Sequence, residues 1–238
     1  MSEEAVPERV LVVTAHPDDV DFGAAGTIAT WTAAGAEVVY CIVTDGAAGA
    51  LDTLTDLGGL AALRQVEQRS AAKVVGVDDV RFLGRPDGQL MVTLDLRRDL
   101  SRVIRQVRPN RIVAQSPERH WERIRASHPD HMAAGEATLQ AVYPDARNPF
   151  AHPELLAEGL EPHVVEEVWL MASPRSTTAI DVTDTLELKL NALRCHESQV
   201  GPGDHLENLI RGWTSATAAE HGLADGRFAE AFQVVETR

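Results

Sequence analysis

The chain has 238 residues, 44% of them hydrophobic and 24% charged, so it can bury the core of an α/β domain without a disulfide or a metal staple. Its 36 acidic and 22 basic side chains give a formal charge of -14, which repels phosphate backbones and anionic lipid and argues against nucleic-acid or membrane binding by the whole surface. The two cysteines, Cys41 and Cys195, lie far apart and form no C-x-x-C pair, which argues against a disulfide scaffold or a thiolate zinc site.

Met1-Ser2-Glu3-Glu4 has neither the basic start nor the apolar centre of a signal peptide, and no apolar run reaches the ~20 residues that span a bilayer. A soluble, cytoplasmic protein is expected. Arg9 to Thr14 is a short β-branched run that reads as a strand buried on both faces. It is followed by His16-Pro17-Asp18-Asp19, an odd ending for a buried strand. Phe22 to Ala34 is rich in small residues and reads as a helix closed by Gly35, and Glu37 to Thr44 reads as the next strand. Strand, helix and strand make a βαβ unit, and its sheet should be parallel.

A mobile loop is expected over residues 47–59. Leu60 to Val75 then reads as an amphipathic helix, with Leu60, Leu63, Val66 and Val74 inward and Arg64 and Glu67 as a surface pair. Asp79 to Leu83 reads as a strand, Arg85-Pro86-Asp87-Gly88 as a turn, Leu94 to Val107 as a helix and Arg111 to Gln115 as a strand. A second oddity, His128-Pro129-Asp130-His131, opens a helix expected to run to about Val142, with Ser127 or His128 as its cap. Tyr143 to Pro162 is a proline-rich excursion whose length points to function. Strands are expected over Val164–Met171, Thr178–Val182 and Phe228–Val235, and helices over Asp184–His196 and Leu206–Glu220.

Strands alternating with helices predict a Rossmann-like, doubly wound and mostly parallel α/β sheet. We expect one domain, with a core over about 8–172 and a C-terminal lobe over about 173–238. Ligands of such sheets bind beyond the carboxyl ends of the strands, which puts both oddities on one rim. A hydrolytic metal site needs three protein ligands and an open position, and His16, Asp19 and His131 can supply the three. Histidine with carboxylate and no cysteine favours zinc, with iron(II), manganese and cobalt as alternatives. Adjacent carboxylates point differently, so Asp18 is free to act as general base. Protonated His128, one helical turn from His131, can stabilise an oxyanion or protonate a departing amine, and Asp130 can orient one of the imidazoles. Either segment alone could be a helix cap; the pair at two strand ends carries the inference.

Thr14-Ala15-His16-Pro17-Asp18-Asp19 together with His128-Pro129-Asp130-His131 resembles the PIG-L/LmbE-like family of zinc-dependent N-deacetylases. Leu63-Arg64-Gln65-Val66-Glu67, the run Phe82 to Gly88, and the run Ala192 to Gln199 look like further landmarks of that family. The resemblance implies a Rossmann-like fold and hydrolysis of an N-acyl group, typically acetate on an N-acetylglucosamine unit. It also implies a metal on His16, Asp19 and His131, with Asp18 as base, His128 as electrophilic partner and Arg64 as a substrate contact. The family commonly has a glutamate after the paired aspartates; here Val20 and Asp21 follow, which leaves Asp21 to take an outer role or the loop to be set differently.

Arg119, Trp121 and Arg123 are candidates to grip an anionic or sugar substrate, the arginines through phosphate or carboxylate and the tryptophan through a sugar face. The expected partner is a small N-acyl amino-sugar, and homo-oligomerisation is left open. Competing readings are an amidase of a non-sugar substrate, a phosphoester hydrolase on the same metal, a dinucleotide-binding module and a silent metal or sugar binder. The dinucleotide reading is weak, because Gly23-x-x-Gly26 lacks the full glycine fingerprint after the first strand.

Overall fold

The computed structural model describes residues 6–50, 54–201, 203 and 205–238. Met1 to Glu4 and part of the expected loop over 47–59 therefore lie outside the described residues. Seven strands form one sheet: β1 (Arg9–Thr14), β2 (Glu37–Thr44), β3 (Asp79–Arg85), β4 (Arg111–Gln115), β5 (Glu167–Met171), β6 (Thr178–Asp181) and β7 (Ala229–Glu236). Their order is β3-β2-β1-β4-β5-β7-β6. The first five are mutually parallel, and β7 runs antiparallel to both β5 and β6. This is the Rossmann-like α/β arrangement that the alternation of runs predicts. The C-terminal residues continue the same sheet with an antiparallel edge.

Strand β1 lies inside the sheet, between β2 and β4, and its apolar residues fill both faces. Val10 and Val12 join one core with Ile28, Trp31, Tyr40 and Trp169, while Leu11 and Val13 join the other with Leu96, Leu100, Ile104 and Ile112. Alternate side chains of a strand point to opposite faces, so one six-residue run serves two layers. From β1 the chain runs outward on one side through β2 and β3, then crosses to β4 and β5 on the other, so the switch point of the sheet lies at the carboxyl ends of β1 and β4.

The helices are α1 (Asp19–Ala33), α2 (Leu57–Val74), α3 (Leu94–Val107), α4 (Pro129–Gln140), α5 (Pro153–Ala157), α6 (Leu186–Arg194), α7 (Glu197–Val200) and α8 (His205–Glu220). None of the described helices is long and apolar enough to cross a membrane. Helix α1 begins at Asp19, three residues before the expected Phe22, so the motif itself forms its first turn.

Three expectations change. The face of α2 is inverted over its middle turns: Arg64, Glu67 and Gln68 are buried and Leu63 and Val66 are 48% and 62% exposed, while Val74 packs on the core as expected. The polar residues point inward because their partners are buried polar groups: Arg64 and Gln68 bond the turn after β1, and Glu67 bonds Ser198. Helix α4 stops at Gln140, and a wider turn over Ala141–Asp145 follows. Pro144 offers no N–H and pushes Tyr143 into an extended conformation (φ -140, ψ 118). The excursion from Tyr143 to Pro162 is not structureless. It contains α5, and the Arg105 guanidinium collects the carbonyls of Asp145, Ala146, Asn148, Ala151 and Leu160.

Gly135 lets α4 lie directly on the end of β4. A Cβ there would sit 2.1 Å from the Gln115 carbonyl oxygen. Gly135→Ala must therefore lift the helix that carries His128 and His131. We expect it to cost at least about 1–3 kcal/mol of stability in urea unfolding, the usual range for overpacking, and to weaken metal affinity as well. Unchanged values of both would show that the contact is soft.

Candidate active site

Both motif segments converge beyond the carboxyl ends of β1 and β4. His16 lies two residues past the end of β1, and Asp19 is the first residue of α1. His131 lies in the first turn of α4, whose N-cap is His128. The donor atoms of the three residues meet closely, with the two Asp19 oxygens each facing one histidine. His16 Nδ1 is 3.3 Å from Asp19 Oδ2 and 3.3 Å from His131 Nε2, and His131 Nε2 is 3.0 Å from Asp19 Oδ1. Ligands around a tetrahedral ion with bonds of about 2.0–2.1 Å are separated by about 3.3–3.4 Å, so the triangle fits such an ion.

Two other donor sets lie within 4.8 Å: His16 with His128 and His131, and His16 with Asp87 and Asp130. Their hydrogen bonds separate them from the triangle. Asp87 Oδ1 and Asp130 Oδ2 lie 2.9 and 3.3 Å from His16 Nε2, on the other side of the ring. They fix the tautomer that leaves Nδ1 free to ligate. His128 Nδ1 accepts the backbone N–H of Asp130 at 3.2 Å, which occupies one of its two nitrogens. Asp130 in turn accepts the N–H groups of Gly88 and Leu90, so the turn after β3 is stitched to α4.

The electrostatics favour a cation in the triangle. Burial opposes charge on His16, yet hydrogen bonds to Asp19 and Asp87 push its pKa up to about 11. Burial likewise opposes the Asp19 carboxylate, but the charge and hydrogen bond of His131, with those of His16, hold it well below the usual carboxylate range. His131 is raised by Asp19 against the effect of burial. His128 moves the other way, lowered by burial and then by His16 and His131. Its expected protonated state is thus disfavoured. A neutral ring whose Nδ1 accepts a hydrogen bond must carry its proton on Nε2, where it can still donate.

Asp18 stands beside this group in the left-handed conformation (φ 82, ψ -24). Such a conformation costs a non-glycine residue of order 1–3 kcal/mol and persists only where the surroundings enforce it. Arg64 Nη2 donates to the Pro17 carbonyl at 2.7 Å and to Asp18 Oδ2 at 3.1 Å, while Nη1 donates to the Gly46 carbonyl at 2.6 Å. Burial, then the neighbouring Asp19, raise Asp18 to about 7, against the opposing pull of Arg64. Arg64 and Glu67 are not the expected surface pair: Arg64 grips the Asp18 turn, and Glu67 accepts from the backbone and hydroxyl of Ser198.

Asp21 is fully buried and bonded to Gln68 and His196, and not to His16, Asp19 or His131. Asp45 serves as a turn residue, its Oδ1 accepting the N–H groups of Ala47 and Asp87. Arg119 lies over Trp121, which is 80% exposed, and Arg123 lies over Trp213 at 5.0 Å. The contacts described for these three side chains do not reach the histidines. Arg123 lines a cavity of about 150 Å³ with Phe22, Lys189 and Trp213, and a larger one of about 540 Å³ is lined by Arg194, Val200, Leu206 and Glu207 among others. Neither includes His16, Asp19 or His131, so the chemistry is located by its side chains and not by cavity size.

Sequence reasoning missed Asp87 and Gln68 as site residues. For Asp87 the signal was its place in the turn that ends β3, on the same rim as His16.

The chain matches the family described as PIG-L, GlcNAc-PI de-N-acetylase, over residues 11–142. It is 34% identical over 229 residues to the diacetylchitobiose deacetylase of Thermococcus kodakarensis, covering 96% of this chain and 83% of that one. It is 32% identical over 275 residues to the 1D-myo-inositol 2-acetamido-2-deoxy-alpha-D-glucopyranoside deacetylase 1 of Saccharopolyspora erythraea, covering 92% and 85%. Among solved structures, the N,N'-diacetylchitobiose deacetylase from Pyrococcus horikoshii superposes with a TM-score of 0.88 at 30% identity, covering 97% of this chain and 84% of that one.

Proposed function

The chain belongs to the PIG-L family of GlcNAc-PI de-N-acetylases, and from that membership we propose that it removes the acetyl group from an N-acetylglucosamine unit of a small glycoside, with diacetylchitobiose as the preferred class. The observation that carries the reading is the triangle of His16, Asp19 and His131 donors, 3.0–3.3 Å apart, with Asp18 beside it. We assign the metal to these three residues and identify it as zinc, on the strength of two imidazoles, one carboxylate and the near-tetrahedral separations. When bound there, the ion would polarise the amide carbonyl and make a water molecule acidic.

The chain's own residues do the rest. Asp18, held by Arg64, accepts the proton of the attacking water. His128 donates its Nε2–H to the oxyanion that develops on the carbonyl, as a neutral imidazole fixed by Asp130 N–H. Asp18, now protonated, returns the proton to the departing nitrogen; acetic acid and free amine leave, and the acid gives up its own proton to the amine or to solvent. Asp87 and Asp130 keep the His16 ring in its ligating tautomer throughout.

Release of primary amine from diacetylchitobiose, a GlcNAc-inositol and a GlcNAc-malate, run with metal analysis of the purified protein, tests this directly. The expected result is bound zinc and the highest kcat/KM on diacetylchitobiose. Amine release from none of the three would remove the proposal. We further propose that Arg119 and Trp121 meet the distal part of the substrate. Trp121→Ala is then expected to raise KM, by about tenfold for the loss of one stacked ring, with kcat unchanged; an unaltered KM would take this loop out of the site.

A further inference from the structure

Helix α2 presents Arg64 and Gln68 one turn apart on its buried face, and both reach the peptide unit between Pro17 and Asp18. Arg64 Nη2 donates to its carbonyl at 2.7 Å, and Gln68 Oε1 accepts its N–H at 2.8 Å. Both polar ends of one peptide plane are therefore gripped from the same helix. The plane on the amino side of Asp18 sets its φ, and that φ is the left-handed value of 82.

The Gln68 amide cannot be reversed without losing a bond. Its Nε2 donates to Asp21 Oδ2 at 2.8 Å, and a carboxylate only accepts. That leaves Oε1 to face the Asp18 N–H, which only donates. Asp21 is in turn anchored by His196, whose Nε2 lies 2.9 Å from the same Oδ2. Asp21, Gln68 and His196 are all fully buried, so water does not substitute for these bonds. We propose that Gln68, oriented by Asp21 and His196, is a positioning residue for the reaction, clamping the Pro17–Asp18 peptide with Arg64 so that Asp18 is held in its left-handed, proton-accepting pose. The proposal rests on the reading of Asp18 as the base. It gives Asp21 a task that the metal site does not.

The test compares Gln68→Met with the native enzyme and in an Asp18→Asn background, on diacetylchitobiose, with metal content measured for each protein. Methionine keeps the length and bulk of glutamine but can neither accept from Asp18 nor donate to Asp21. Gln68→Met is expected to lower kcat about 10²-fold, the size of a small misplacement of a reacting group, with KM and metal content unchanged. In the Asp18→Asn background the same change is expected to cost less than about twofold, because the two residues act as a unit. An equal loss in both backgrounds, or a loss carried by KM or by metal content, overturns the clamp. Full turnover by Asp18→Asn alone sinks the base assignment and the clamp with it.

Should Gln68→Met not fold, the pair Gln68→Glu and Asp21→Asn answers the question. Gln68→Glu by itself sets two carboxylates against each other. Adding Asp21→Asn restores a donor opposite an acceptor, and kcat is expected to rise at least about tenfold over Gln68→Glu, as coupled neighbours do. A double variant no better than Gln68→Glu overturns the proposal.

Discussion

Asp18→Asn is expected to lower kcat on diacetylchitobiose by about 10²–10⁴-fold, the range that positioned general bases supply, while metal content and KM stay at native values. Asparagine matches aspartate in shape, and its side-chain oxygen can still accept from Arg64, so the left-handed turn and the peptide clamp survive. What it cannot do is take a proton. Steady-state amine release, with metal content measured on the same preparation, reads both quantities. Turnover within tenfold of native would show that the proton goes elsewhere, and the neutral His128 would be the next residue to examine.

Asp19→Ala is expected to empty the metal site and bring turnover to background. The carboxylate does three things at once. One oxygen faces His131, the other faces His16 Nδ1, and that second oxygen also accepts the His16 backbone N–H at 2.7 Å. Removing it deletes a ligand and frees the segment that carries another. Two imidazoles then remain to hold a divalent ion, one fewer than a hydrolytic zinc site needs. The native protein stripped by a chelator should recover on adding zinc, whereas Asp19→Ala should not. Retention of stoichiometric metal by the variant would move the third ligand to His128, whose ring centroid is 5.0 Å from that of His16.

The central strands were legible to the residue, because β-branched runs ended by polar or glycine-containing turns leave little freedom: β1, β2 and β4 have the bounds their sequences predict. Helix α3 was equally plain, since its apolar stripe faces the core and Thr93 caps it. Helix α2 misled for a physical reason. Amphipathic reading assumes that polar residues seek water, and here Arg64, Glu67 and Gln68 seek buried polar groups contributed by other segments. No local pattern distinguishes those two situations. The His16-Pro17-Asp18-Asp19 and His128-Pro129-Asp130-His131 segments stood out because clustered imidazoles and carboxylates at strand ends are costly without a partner. Asp87 did not stand out, since a Pro-Asp-Gly sequence is an ordinary turn until the sheet order brings β3 to the same rim. The departure at Val20 and Asp21 also resolves in physical terms: Val20 is fully buried in the core, and Asp21 is bound to Gln68 and His196.

Helix α1 is secured from the far end of the chain. His196 reaches Asp21, Lys189 donates to the carbonyls of Asp21 and Phe22, and Glu230 accepts from Gly26 and Thr27 and pairs with Lys189. These contacts span up to 204 residues. A growing polypeptide has therefore made every proposed metal ligand by residue 131, long before the groups that fasten helix α1, which opens with Asp19, exist. The reactive rim is expected to be among the last regions to set during biosynthesis, after strand β7 closes the sheet, and contacts of such sequence separation are slow to form. A nascent chain halted before β7 would hold all three proposed ligands while helix α1 still lacked its Glu230 anchor.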